Sequence, residues 1–301
     1  MVSVIISVLN RVSDITIQLD AIISQTYQDY EVIYVDNGSS DGTKELIESY
    51  ANKHQKIKLI DASHVKGSPY SARNIGIREA KGDIIAFLDG YPEVNWLENA
   101  VAYMRTTNSD MVSGRVVIEH NKSDGPYKCF DAIFSLDTAY IVKRFRCAPT
   151  ANLFIKRDLL DDNLFRENIR SGGDIDLTSR LVKNGYTLNF CHNAVSKYFS
   201  RDKYKIINKQ KRVALGQYQM WVSNNRSWFY CFKVVIALIR PIGVFNTKNR
   251  IKKNSHIEFN IKELLEITFV RNKLDKIRLL TLLNYIVKDI LNENFMILKG
   301  K

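Results

Sequence analysis

Cysteine is scarce: Cys129, Cys147, Cys191 and Cys231 are the four in 301 residues, far apart and never as a CxxC pair. Neither a disulfide framework nor a structural zinc site can then be the basis of the fold, and a reducing, cytoplasmic setting is expected. Long hydrophobic runs are also missing. The most apolar stretch, 228–245, is interrupted by Lys233 and Arg240, short of the roughly 20 apolar residues a membrane span requires. The opening MVSVIISVLN lacks a basic n-region and a small-residue cleavage site, so it is expected to be a strand and not a signal peptide. No internal repeat, low-complexity tract or Gly/Pro linker occurs. No RRM, KH or zinc pattern marks a nucleic-acid module, and no nucleic-acid partner is expected. Acidic residues thin out in one region only. From 200 to 301 there are 21 Lys and Arg against 7 Asp and Glu, a net of +14, whereas residues 1–199 carry −2. That shift places a boundary near residue 200 and gives the last third an affinity for anionic surfaces.

What is present is ordinary globular composition, 45% hydrophobic and 25% charged. VSVIISVL (2–9), YEVIYVD (30–36), KIKLID (56–61) and GDIIAFLD (82–89) are short, Val- and Ile-rich, and separated by stretches of helical character. This rhythm predicts an α/β fold with a mostly parallel, Rossmann-like sheet flanked by helices. DMVSGRVVIE (110–119) and ANLFIKR (151–157) add two strands, and SGGDIDLTSRLVKNGY (171–186) has the punctuation of a helix. Parallel sheets bind ligands at the carboxyl ends of their strands. Polar signals fall there: Asn10 after the first strand, Asp36-Asn37-Gly38-Ser39 after the second, Asp89 after the fourth. In VDNGSSDGT (35–43) the side chains of Ser39, Ser40 and Asp41 suit either a nucleotide's base and ribose or the cap of the next helix.

Five segments in order, ISVLNR, QTYQDYEVIYVDNGSSDGT, SARNIGIREAKGDIIAFLD, PEVNWLENA and SGGDIDLTSRLVKNGY, resemble the glycosyltransferase family 2 enzymes of GT-A fold over roughly residues 2–200. The resemblance implies an inverting enzyme that moves a sugar from a nucleotide-sugar donor, UDP-linked, to a hydroxyl of a saccharide or glycolipid acceptor. The implied setting is polysaccharide or lipopolysaccharide assembly. Residues 1–110 would form the nucleotide-binding part of a catalytic domain, 111–200 its acceptor part, and 201–301 a helical basic extension. Carried over by position, Ser7, Asn10, Asp36, Asn37, Ser39, Arg73 and Asp89 are implied donor contacts, with Asn74 beside Arg73. Asp174 is the implied catalytic base, which takes the proton of the attacking hydroxyl. Asp176, about 200° further round the helix, and Trp96 are implied near the acceptor. The glycines before Asp174 are expected to leave room for substrate.

The family's usual second acid after the Asp89 position, which binds Mn²⁺ or Mg²⁺, is replaced here around Tyr91, and a customary histidine by Tyr198. Three readings follow. A metal is held loosely through Asp89 and the donor phosphates with Glu93 helping; or no metal is used, and Tyr91, Tyr198, Arg73 and Arg201 steady the leaving diphosphate; or the chain is a catalytically impaired binding or scaffold protein.

In WFYCFKVVIALIRPIGVF (228–245), Arg226, Lys233 and Arg240 recur every seven residues. On one helix they would form a cationic seam beside an apolar body, with Trp228 and Tyr230 at headgroup level. KNRIKK (248–253) and a second helical pattern at 275–294 follow. The expectation is a peripheral protein on the inner face of an anionic membrane, with packing on protein as the alternative. Nothing in the sequence fixes the oligomeric state.

Overall fold

The computed structural model describes residues 1–65, 69–223, 225, 227–254 and 258–299; side chains are described over these ranges except at 122, 253, 254 and 292–299. In chain order the elements begin β1 (Val2–Val8), α1 (Ile15–Ile23), β2 (Tyr30–Asp36), α2 (Thr43–Ala51), β3 (Ile57–Asp61), α3 (Pro69–Glu79), β4 (Ile84–Leu88), β5 (Tyr91–Pro92) and α4 (Trp96–Thr107). They continue with β6 (Met111–Glu119), α5 (Gly125–Phe134), α6 (Thr138–Phe145), β7 (Asn152–Lys156), α7 (Asp158–Asp161), α8 (Gly173–Lys183) and β8 (Leu188–Phe199). Helices α9 (Lys203–Ser223), α10 (Trp228–Ile239), α11 (Val244–Asn254) and α12 (Ile261–Lys299) complete the chain.

Two compact units result: Met1–Ile118, Leu136–Asn168 and Gly173–Tyr198 form one; Glu119–Ser135, Ile169–Gly172 and Phe199–Lys301 form the other. The first holds one sheet, ordered β3-β2-β1-β4-β7-β6-β8-β5. Strands β3, β2, β1 and β4 are parallel, as the Val/Ile runs predict, but β7 runs antiparallel to both β4 and β6, and β5 antiparallel to β8. The α/β sheet flanked by helices is as expected, with its parallel strands in β3-β2-β1-β4 and antiparallel ones added at β7 and β5. The connection between β6 and β7 contains two helices and is long enough to return the chain in either direction, so its length carried no signal of direction.

Strand β1 buries residues on both faces because helices cover both sides. Ile15, Leu19 and Ile22 of α1 recur at i, i+4 and i+7 and are wholly buried, each worth about 1.5–3 kcal/mol against exposure. Helix α3 starts with Pro69, where a missing N–H costs nothing. It then lies so close on the sheet that a Cβ at Gly76 would stand 2.6 Å from Ile5 Cγ2. This approach brings Arg73, one turn earlier, to the rim of the strands.

Trp96 opens α4 and is wholly buried, its indole N–H donating to Asn152 Oδ1 at 2.9 Å. Asn152 Nδ2 donates to the carbonyls of Arg115 and Ala194, both at 2.9 Å. One buried amide thus ties α4 to β6, β7 and β8. With no exposed surface, Trp96 is a core residue below the site and does not touch an acceptor, which corrects its direct acceptor role.

The second unit is helical. Trp221, Cys231, Leu238, Leu282 and Ile286 form one core between α9, α10 and α12, and Cys129, Ile133, Ile251, Leu264 and Ile267 another between α5, α11 and α12. The expected helix over 228–245 stops at Ile239, before Pro241, which cannot continue it. Helix α11 then leaves at 95°. The proposed seam dissolves: Lys233 is on α10, Arg240 is its C-cap, and Arg226 lies outside the described residues. Among the described residues no single helix is long and apolar enough to cross a membrane. The 275–294 pattern belongs to the much longer α12.

Candidate active site

The loops after β1 and β2 build one end of the rim. Asn10 takes a left-handed φ of 52°, which asparagine tolerates. Its Oδ1 accepts from Ser40 N at 2.9 Å, and its own N–H donates to Ser39 Oγ at 2.9 Å. Ser39 Oγ in turn donates to Asp36 Oδ1 at 2.5 Å. Asp36, 1% exposed, also accepts from the backbone N–H of Gly38 and Ser39. Asp41 receives the N–H of Val12 and of Thr43. The side chains expected as nucleotide contacts at Asn10, Asp36 and Ser39 are thus bonded to the loop itself and shape its wall. Ser7 is half-buried near the end of β1, in register with Val35. Asn37 differs: its Oδ1 is buried and accepts no hydrogen bond. A buried carbonyl left without a donor costs about 1–3 kcal/mol.

At the other end, Arg73 is buried at 6% exposure and donates to Asp89 Oδ1 at 2.8 Å. Its guanidinium lies 5.4 Å from the centre of the Tyr70 ring. Burial works against its charge, and the fields of Asp89, Tyr70 and Asp174 more than offset that, so its pKa is raised. Arg73 therefore feels Asp89 and Asp174 together. Asp174, in the first turn of α8, accepts from the Tyr70 hydroxyl at 3.2 Å and Ile175 N at 3.0 Å on Oδ1, and from Thr150 N at 3.1 Å and Thr150 Oγ1 at 3.5 Å on Oδ2. Burial pushes the Tyr70 phenol up, which keeps it a donor. A Cβ at Gly173 would lie 2.8 Å from the Tyr70 ring. The glycine makes room for that ring, which corrects the expectation that it makes room for substrate.

Arg11 joins the two ends. Its N–H donates to Thr43 Oγ1 at 2.7 Å, while its Nη1 donates to the Asp89 carbonyl at 2.8 Å. Gln18 Nε2 donates to the same carbonyl at 3.0 Å and also to that of Gly90. Asp89 and the 36–43 loop thus share one rim. Three residues that sequence reasoning missed, Tyr70, Arg11 and Thr150, hold the acids in place. Tyr70 carried a usable signal, since it precedes Arg73 by three on the same helix and so shares its face.

Other expected residues are committed elsewhere. Asp176 pairs with Arg166 and Arg180 at 3.2 and 3.1 Å. Asn74 bonds the backbone of Phe165 in both directions and the side chain of Glu167. Arg201 gives its guanidinium to buried Asp131 within the second unit. Tyr198 donates to the Ala151 carbonyl at 3.0 Å, and its ring closes over Gly90.

A protein-held divalent metal does not fit this donor set. Asp89 is engaged by Arg73, Glu93 pairs with Lys197 at 3.1 Å, and Tyr91 pairs in register with Lys197 on β8. Among the described residues no three His, Cys, Asp or Glu side chains converge, and hard cations want several oxygen ligands.

Residues 3–161 match the model of glycosyl transferase family 2. Glycosyltransferase AglE of Haloferax volcanii is 34% identical over 243 residues, 79% of this chain and 80% of that protein. Among solved structures, S. aureus TarS 1–349 in complex with UDP-GlcNAc has a TM-score of 0.54 at 18% identity, covering 95% of this chain and 92% of that one. The mannosyltransferase PcManGT of Pyrobaculum calidifontis, in complex with GDP-Man and Mn²⁺, has a TM-score of 0.55 at 18% identity, covering 99% and 79%. The shared fold, the family match and the identity with AglE agree, and the chain belongs to glycosyl transferase family 2 and is a glycosyltransferase.

Proposed function

We propose that this glycosyltransferase inverts the anomeric centre, taking a sugar from a UDP-linked donor and passing it to a hydroxyl of a saccharide or lipid-linked acceptor, with Asp174 as base. The observation that carries the proposal is the holding of Asp174 by Tyr70 and Thr150, with Arg73 spanning from it to Asp89. Oδ1 of Asp174 accepts from the Tyr70 phenol and from Ile175 N, and Oδ2 from Thr150 N and, at 3.5 Å, from Thr150 Oγ1, so the carboxylate is fixed in orientation and an incoming hydroxyl takes the place of the long Thr150 Oγ1 bond. The acceptor oxygen attacks the anomeric carbon opposite the diphosphate; its proton passes to Asp174, and the diphosphate leaves with the electron pair of the broken C–O bond. Buried Arg73 supplies a fixed positive charge at the rim where that negative charge grows.

Asn37 supports the choice of base. The resemblance pairs Asn37 with Asp36 beside the base, and a TarS neighbour is solved in complex with UDP-GlcNAc. Because the acids do not form a cation cage, the leaving group is stabilised by Arg73, with the Arg11-pinned loop holding Asp89 in place. The setting we assign is assembly of a surface polysaccharide or glycolipid. The non-catalytic alternative has less support, since the base position and its donors are intact.

A thermal-shift and donor-hydrolysis panel of UDP- and GDP-sugars, run in excess EDTA and again in Mn²⁺, tests the reading. Stabilisation by UDP-sugars above GDP-sugars, with hydrolysis persisting in EDTA, is expected. Preference for GDP would remove the uracil assignment, and loss of hydrolysis in EDTA would restore the metal.

A further inference from the structure

Between Asp202 and Glu258 the sequence contains no acidic residue, against twelve Lys and Arg. Helix α10 lies in the middle of this stretch. At 100° per residue, Trp228, Phe229, Phe232, Ile236 and Ile239 fall within an arc of about 100°, and all five are exposed, Trp228 by 62%, Phe229 by 69% and Phe232 by 64%. The opposite face, Cys231 and Leu238, is buried in the helical core. Tyr230 also turns inward, towards Met220, and so does not stand at the exposed face as the sequence suggested. A soluble helix ordinarily points charge outward and apolar groups inward; α10 is apolar on both sides. Its cations lie at the edge of the exposed arc. Lys233 rests its ammonium 4.1 Å from the centre of the Phe229 ring, and Arg240 follows as the C-cap. Past the bend, α11 exposes Phe245 by 74%, together with Lys248 and Lys252.

We propose that this face of α10, with Phe245, is a docking surface for an anionic lipid bilayer. The 12-residue α10 measures about 18 Å, well short of the roughly 30 Å of a hydrocarbon core. The geometry is therefore that of a helix lying in the interface, its aromatic face among the acyl chains and its cations among the headgroups. A second copy of the chain is the poorer occupant. Two-fold pairing would set Lys233, Arg240, Lys248 and Lys252 against the same residues of the partner face, like charge against like. The proposal goes beyond the transfer reaction, and its test reads binding alone.

Trp96 and Trp221 are buried and Trp228 is exposed, so the response of tryptophan emission to lipid reports α10. Full-length protein is titrated with vesicles of pure phosphatidylcholine and with vesicles containing phosphatidylglycerol, following emission, quenching by brominated lipid, and co-flotation. A blue shift, quenching, and flotation dependent on phosphatidylglycerol are expected. The pair F229S/F232S should weaken binding about a hundredfold, and K233Q/R240Q about thirtyfold on anionic vesicles only. Circular dichroism and the thermal shift with UDP should match the parent, which separates lost docking from lost folding. Absence of a blue shift, or equal binding by folded F229S/F232S, overturns the proposal. So does lipid-free, concentration-dependent association that F229S/F232S abolishes, which would assign the face to a second copy.

Discussion

Replacing Asp174 by asparagine separates catalysis from architecture. The carboxylate accepts from Tyr70 on one oxygen and from Thr150 N on the other. An asparagine keeps one acceptor oxygen for Thr150 N and turns an NH₂ towards Tyr70, whose hydroxyl can rotate to accept, while the Ile175 N–H loses its acceptor. The net structural loss is about one hydrogen bond, on the order of 1 kcal/mol. The chemical loss is larger, because an amide cannot take a proton. General-base catalysis contributes about 10²–10⁴ in rate, or roughly 2.7–5.5 kcal/mol at 1.36 kcal/mol per tenfold. Steady-state transfer is measured with donor and acceptor varied, and UDP binding by calorimetry on the same preparation. The expected result is a kcat at least a hundredfold lower, a UDP Kd within about twofold of the parent, and a nearly unchanged melting temperature. If Asp174 only complements the helix N-terminus, worth about 0.3–1 kcal/mol, turnover stays near the parent while stability falls. That pattern, or a fall in turnover matched by lost UDP binding, refutes the base assignment.

Substituting Asn152→Ala strands the Trp96 N–H and the carbonyls of Arg115 and Ala194 together; denaturant unfolding should show more than about 3 kcal/mol lost. Gly173→Ala forces the Tyr70 ring aside from 2.8 Å, and transfer should fall tenfold or more with UDP affinity retained; pairing it with Tyr70→Ala should remove the steric part of the defect. Lys209 has an ammonium with no exposed surface, 3.9 Å from Asp131, and burial, with Arg201, Arg212 and Arg278 nearby, lowers its pKa to about 7. Between that value and the unfolded one near 10.4 the unfolded chain binds more protons, so this group makes stability rise with pH, by at most about 1.4 kcal/mol per unit. Lys209→Met should therefore be more stable than the parent at pH 7, with the gap in melting temperature closing towards pH 10; a gap independent of pH would show that the lysine is not strained.

The parallel half of the sheet was legible because buried parallel strands read as short, nearly continuous apolar runs, as VSVIISV, YEVIYVD and IIAFL of β1, β2 and β4 do. Asp174 at the start of α8 and Arg73 beside Asp89 were legible from position in the resemblance. The reversal of β7 was not, because alternation of side chains is the same in both strand directions. Asn10, Asp36 and Ser39 suit both a nucleotide and a tight turn, and their hydrogen bonds within the loop show the second use. The break between α10 and α11 was written in Pro241. The inclusion of α5 in the helical unit was not, since its partners come more than 70 residues later, on α9, α11 and α12.

Arg73 has a consequence for timing. It is a buried cation under the influence of two anions, Asp89 and Asp174, which the proposed transfer assigns to the phosphate side and the acceptor side. Once Asp174 has captured a proton, one of those two counter-charges is gone, and the guanidinium's field is less compensated at the instant the phosphate oxygens gain charge. In the proposed reaction, deprotonation of the nucleophile and expulsion of the nucleotide are thereby electrically coupled through a single side chain.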